Sequence, residues 1–263
     1  MWLPGARTAR LAATLAAFLA AAGAAQAACR SDVFEDHRYT VCSFDPAASD
    51  IRMFWQDGEG VPYRTFPALA DDLTNRGLML AFGMNGGMYD TDLAPIGLYV
   101  EDGREIVAAN TRTVTKRPVP NFYKSPNGVF FISGDSAGVV ETGAYVKRKI
   151  PADFATQSGP LLVIGGKIHP AFIPDSSDRN RRDGVGISGD GAVHFVISED
   201  AINFDTFARF FRDGLGCDDA LFLDGGSAPG LFSRELKRAD WPGHGGFGPI
   251  IAVVEPAAAP ATE

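Results

Sequence analysis

RDGVGISGDGAVHFVISEDAINFDTFARFFRDGLGCDDALFLDGGS, residues 182–227, is the stretch that decides the fold. Residues 185–188 and 192–198 are short runs rich in Val, Ile and Phe, and the Asp190-Gly191 pair between them is a hairpin turn signal. Asn203 is then placed to cap a helix whose Phe204, Phe207, Ala208 and Phe211 fall on one face at i, i+3, i+4 and i+7, with Gly214 as its stop. That helix feeds a fully apolar strand at 220–223, which ends in Asp-Gly-Gly-Ser. A hairpin followed by a helix and a core strand is an α+β pattern, because hairpins make antiparallel neighbours whereas parallel strands need a crossover each time.

The same grammar continues upstream. Strands are expected at 39–44 and 51–55, a helix at 65–75 closed by Gly77, and a buried strand at 78–84. Residues 96–101 and 105–108 flank the turn dipeptide Asp102-Gly103, residues 128–132 and 138–141 form another strand pair, and 161–164 is a short buried strand. The expectation is one α+β domain over 28–255, built on a large mixed, mainly antiparallel sheet with a few packed helices, and a flexible tail over 256–263.

The ends and the charge bound the class of protein. Arg7 and Arg10, an Ala/Leu/Phe run over 11–25 and the small-residue string Ala25-Gln26-Ala27 make residues 1–27 read as a secretory signal peptide, too short in its apolar part to span a bilayer. The mature chain would then be periplasmic or extracellular, and its Lys+Arg count would fall from 24 to 22 against 32 acidic residues. Such an acidic chain argues against nucleic-acid partners, and no later segment suits a membrane. In an exported protein Cys29 and Cys42 are spaced to close a disulfide loop, with lipidation of Cys29 the minor alternative; Cys217, beside an apolar run, reads as a buried thiol.

Several familiar strings fail on context. Gly134-Asp135-Ser136-Ala137-Gly138 spells a nucleophile elbow but joins two antiparallel strands, so Ser136 is not expected to be a nucleophile. The two GxGxxG strings at 184–189 and 243–248 lack the helix that dinucleotide binding needs. His37, His169, His194 and His244 are too scattered for a zinc site; no cofactor is implied, and a divalent cation stays open but without residues that support it. His194, in an apolar strand, reads as structural; a plain loop position is the first reading of His244 in its Gly-rich segment, with pocket lining the alternative. What remains is a set of polar turns at strand ends: NGGMYD from Asn85, SPNGVFFI from Ser125, QSGPLL from Gln157, RRDGVGIS from Arg181 and ALFLDGGS from Ala220. Among them Arg182 and Asp224 stand out, a guanidinium whose fork matches phosphate oxygens and a carboxylate at the mouth of a sheet.

In this order the five strings resemble the phosphodiester glycosidase family over about residues 39–254, and the likeness is closer to its short bacterial secreted members than to its lysosomal ones. The lysosomal members tend to carry Arg-Thr-Ala-Val-Gly where this chain has Arg182-Asp183-Gly184-Val185-Gly186. The resemblance implies an α+β domain that cleaves the anomeric bond of a sugar 1-phosphodiester. It also implies a site lined by Asn85, Gly86, Asn127, Ser158, Arg182, Asp224, Gly225 and Ser227. The chemistry is consistent: phosphate leaves as a stabilised anion, so fixed positive charge replaces the proton donor of an ordinary glycosidase. Arg182 would then hold the phosphate and Asp224 would act as base or nucleophile, on an anionic sugar-phosphate or glycan substrate. The competing expectations are a non-catalytic module for an anionic glycan and a phosphodiesterase that breaks P–O.

Overall fold

The computed structural model describes Met1 and residues 28–257. Within them the α+β class holds, and every strand pairing is antiparallel. The strands divide among three sheets rather than forming one. The seven-stranded sheet runs, edge to edge, Cys29–Phe34, His37–Phe44, Val193–Ser198, Arg182–Ser188, Cys217–Gly225, Leu161–Ile164 and Lys167–Ile168. A five-stranded sheet is ordered Arg238–Ala239, Leu231–Ser233, Leu78–Asn85, Ile250–Pro256 and Asp50–Phe54. A second one is ordered Arg104–Val107, Tyr99–Glu101, Phe154–Ser158, Gly128–Ser133 and Ser136–Glu141.

One continuous apolar core is shared by all three sheets. Phe82 and Ile251 from the second, Tyr99 and Phe130 from the third and Val185, Phe195 and Leu221 from the first belong to the same buried cluster. The other face of the seven-stranded sheet is covered by the helix Phe204–Arg209 and the single π-helical turn Phe210–Gly214 that continues it. Asn203 caps this helix by accepting the Thr206 N–H at 2.8 Å, as its position in the sequence predicts. Phe207 and Phe211 lie directly over Gly184 and Gly186, where an added Cβ would come within 2.6 Å of the Phe211 ring and 2.8 Å of the Leu221 carbonyl oxygen. The glycines of the GVG string therefore serve close helix-to-sheet approach, not nucleotide binding.

The helix Phe66–Asn75 likewise begins where Thr65 caps it, accepting from Ala68 N–H, and Gly77 beyond it takes φ +72°. Asp102 and Gly103 both adopt positive φ, as a two-residue hairpin turn of the mirror-image type requires. Three expectations are corrected. The left-handed stop after the second helix falls on Gly216, at φ +67°, rather than on Gly214, because the π turn adds residues before the chain can leave. The short helix Thr142–Arg148 and the edge strand Cys29–Phe34 carry no strong periodicity and were not expected. Pro256 belongs to the last strand and Ala257 N–H donates to Gly77 O at 3.0 Å, so the tail does not begin at 256; residues 258–263 and the signal segment 2–27 lie outside the described residues. Cys29 and Cys42 are directly opposed in the first hairpin and form a disulfide. Cys217 is a buried free thiol, pushed up to about 12 by burial and then by the charges of Asp218 and Asp190.

Candidate active site

The ends of strands from all three sheets meet at one place. Asn85 closes Leu78–Asn85 of the second sheet, Ser158 closes Phe154–Ser158 of the third, and Asp183 and Asp224 sit opposite each other in the first. Side chain to backbone bonds tie the junction together. Ser158 Oγ donates to Leu223 O at 2.7 Å, and Thr156 Oγ1 donates to Gly86 O at 2.7 Å. Gly86 packs so tightly that a Cβ would lie 2.9 Å from Pro249 O.

A pair of carboxyls occupies the centre. Asp183 is fully buried and its Oδ1 accepts the Asp224 backbone N–H at 2.7 Å. Asp224 is partly exposed, and its Oδ1 accepts the N–H of Gly225 at 2.7 Å. Burial pushes the Asp224 carboxyl up to about 7, against a smaller opposing effect of that Gly225 hydrogen bond. Burial, and then the charge of Asp224, push Asp183 well above the carboxylate range. The two carboxyls face each other and are both shifted upward, so the pair holds its protons more tightly than free carboxylates do. The Asn85 amide is near enough to Asp183 to favour its anion, yet both amide atoms of Asn85 and Oδ2 of Asp183 are buried without a partner of good hydrogen-bond geometry. Polar atoms so arranged are costly unless a ligand or water pairs them.

The wall beside the pair is Tyr89, whose hydroxyl donates to Gly246 O at 3.0 Å and lies 3.1 Å from His244 Nε2, with the two rings stacked at 5.7 Å. Burial, followed by the charges of Asp224 and Asp183, raises the Tyr89 phenol and keeps it protonated. Gly226, at φ +73°, and Ser227 form the exposed rim.

Of the expected site residues, Asn85, Gly86, Ser158, Asp224, Gly225 and Ser227 come together here. Arg182 and Asn127 do not offer their polar groups to the site. Adjacent strand residues point to opposite faces, so Arg182 lies on the far side of the sheet from Asp183. There its guanidinium stacks 3.7 Å from the Phe204 ring centroid, Nε donates to Ile202 O at 2.9 Å and Nη2 to Asp178 O at 3.1 Å. It is 1% exposed and burial lowers its pKa to about 10. A guanidinium held this way braces a loop and does not face Asp224. The Asn127 amide is spent on Phe122 O, at 2.9 Å, fixing the turn Asn121–Tyr123. A cavity of about 960 Å³ lined by Tyr123, Lys124, His169, Phe172 and Phe204 lies on this far side, and neither carboxyl lines it. Asp183, Tyr89 and His244 complete the site. The first two stood inside the motifs already singled out, but it is strand register that sets Asp183 against Asp224, and the contact that seats Tyr89 is made with His244 across 155 positions. Among the described residues no group of three or more His, Cys, Asp or Glu is arranged to hold a metal ion.

The chain belongs to the phosphodiester glycosidase family, whose model matches residues 79–249. It is similar to the uncharacterized protein YigE of Escherichia coli K12, at 37% identity over 187 residues, covering 71% of this chain and 70% of that protein. Among solved structures, the catalytic domain of zebrafish N-acetylglucosamine-1-phosphodiester alpha-N-acetylglucosaminidase, auto-inhibited by its pro-peptide, superposes with a TM-score of 0.58 at 15% identity, covering 86% of this chain and 81% of that one. A hypothetical protein from Synechocystis superposes with a TM-score of 0.53 at 14% identity, covering 86% and 61% of the two chains. At such identities the superpositions speak for the fold.

Proposed function

We propose that this protein is an exported hydrolase that cleaves the anomeric C–O bond of a sugar 1-phosphodiester, with Asp224 as the reacting carboxylate. The observation that carries the reading is the Asp183–Asp224 pair: two carboxyls on facing strands at the junction of three sheets, one fully buried and the other partly exposed and pushed up to about 7, with Oδ1 held by the Gly225 N–H. A base of that basicity can take a proton from water at neutral pH. The water oxygen bonds to the anomeric carbon, its proton passes to Asp224, and the electron pair of the broken C–O bond leaves with the phosphate monoester. The departing phosphate is already a stable anion, so no second carboxyl has to protonate it. Asp183 acts on Asp224, through the backbone N–H it accepts, while Asn85 lies on the floor beside it and the Tyr89 hydroxyl forms the wall.

Family membership supports the reaction class, and the unpartnered polar atoms beneath Asp224 support a polar, hydroxyl-bearing substrate. Hydrolysis of a panel of sugar 1-phosphodiesters in oxygen-18 water tests the proposal. Label in the sugar is the expected result. Label in phosphate would mean P–O cleavage, and an absence of product across the panel would leave an anionic-glycan-binding module.

A further inference from the structure

With Arg182 turned away, the phosphate needs another partner in this acidic chain. We propose that Arg181 is that partner, the residue that grips the phosphate of the substrate; the inference rests on the sugar 1-phosphodiester reading above.

Three observations place it. First, the backbone of Arg181 is part of the site, because its carbonyl accepts the Gly226 N–H at 2.9 Å and lies 3.1 Å from where a Cβ on Gly225 would stand. Second, Arg181 immediately precedes the strand Arg182–Ser188, and carrying that strand's alternation back one residue sets it on the same side as Asp183, opposite to Arg182. The charges agree with that placement: Asp183 senses Arg181, whereas the charge that Arg182 senses is Asp178. Third, the guanidinium is loosely held. Its side chain is 38% exposed, Nε reaches Ser198 O only at 3.4 Å and Nη2 reaches Glu199 Oε2 only at 3.6 Å.

Glu199 does not depend on Arg181. Its Oε1 accepts the Thr40 hydroxyl at 2.7 Å and is paired with Arg238, which is itself anchored to Asp240 at 2.7 Å. Arg181 can therefore leave Glu199 without stranding an unpaired carboxylate. A long, exposed ion pair of this kind is weak, whereas a planar fork on two phosphate oxygens is short and charge-assisted. The chain holds Arg182 as a brace and leaves the neighbouring arginine to swing, so the adjacent positions divide structure from binding between them.

Titration of inorganic phosphate into the full-length mature protein tests this without any assumption about turnover. Arg181→Gln should weaken phosphate binding by roughly tenfold or more, with Arg181→Lys recovering part of the loss because it restores charge without the fork. Its thermal midpoint should stay within about 2 °C of wild type, as for an exposed side chain. On whichever phosphodiester the wild type hydrolyses, Arg181→Gln should lower kcat/KM about a hundredfold. Phosphate affinity unchanged in Arg181→Gln, or no phosphate binding by the wild type at millimolar concentration, overturns the inference even if hydrolysis is observed. Arg181-dependent phosphate binding without turnover would instead overturn the proposed reaction and leave this contact standing.

Discussion

Asp224 carries two opposed demands, and they fix what its replacement should do. As a base it must be ionised, so kcat/KM should rise with pH through about 7, the value at which this carboxyl titrates. As a half-buried anion it is a cost to the fold. Its folded-state pKa lies above the unfolded value, so the native state binds more protons between about pH 4 and pH 7 and stability falls as pH rises across that window. Asp224→Asn should therefore lose at least about a hundredfold in turnover, flatten the pH–rate limb, and still melt higher than wild type at pH 8. Below about pH 3, under the unfolded-state value as well as the folded one, the wild-type carboxyl is protonated in both states and that gain should shrink toward zero. Turnover within a few-fold of wild type removes Asp224 from the chemistry, and a lower melting point at pH 8 contradicts the burial cost. The acid is legible in ALFLDGGS as the residue that ends an apolar strand. Its partner is not, because Asp183 was one letter from Arg182 and only the pairing of residues 183 and 224 shows which of the two neighbours faces inward.

At the scale of elements, what the sequence reveals is local and what it hides is register. The Asp102-Gly103 turn, the Asn203 cap and the Phe204 to Phe211 stripe can each be read from a few neighbouring residues, and each is found where those residues put it. The division into three sheets cannot be read that way. Leu78–Asn85 pairs with Leu231–Ser233 and Ile250–Pro256, about 150 and about 170 residues on, and nothing local announces those partners. Arg182 shows how the same limit misleads function: its residue type suits phosphate, but its strand and phase aim it at the helix. There it binds the Ile202 and Asp178 carbonyls and stacks on Phe204, linking strand, loop and helix. Arg182→Gln should accordingly destabilise the fold by about 2–4 kcal/mol, since it unpairs buried carbonyls and empties a stacked position. A denaturant midpoint shift measures this directly. A variant with wild-type stability but abolished phosphate binding would return Arg182 to the ligand.

For the whole molecule, the site exists because three sheets share one core and end together, so its geometry depends on bonds that cross between sheets. Ser158 supplies one of them: its hydroxyl, buried in the third sheet, donates to the carbonyl of Leu223, the residue before Asp224 in the first. Ser158 is therefore best understood as holding the position of Asp224 rather than as touching substrate, which explains why a buried hydroxyl stands in a site motif. Ser158→Ala leaves the Leu223 carbonyl without that donor, at a cost of about 1–3 kcal/mol. It also frees the strand end that carries the reacting carboxylate, and misplacement of a catalytic group by even about 1 Å costs up to a hundredfold. The expected signature is a kcat at least tenfold lower, with KM and phosphate affinity near those of wild type, because Arg181 hangs from the neighbouring strand and not from Leu223. A rise in KM at unchanged kcat would mean that Ser158 binds substrate directly, and the junction would then be a wall of the pocket rather than its frame.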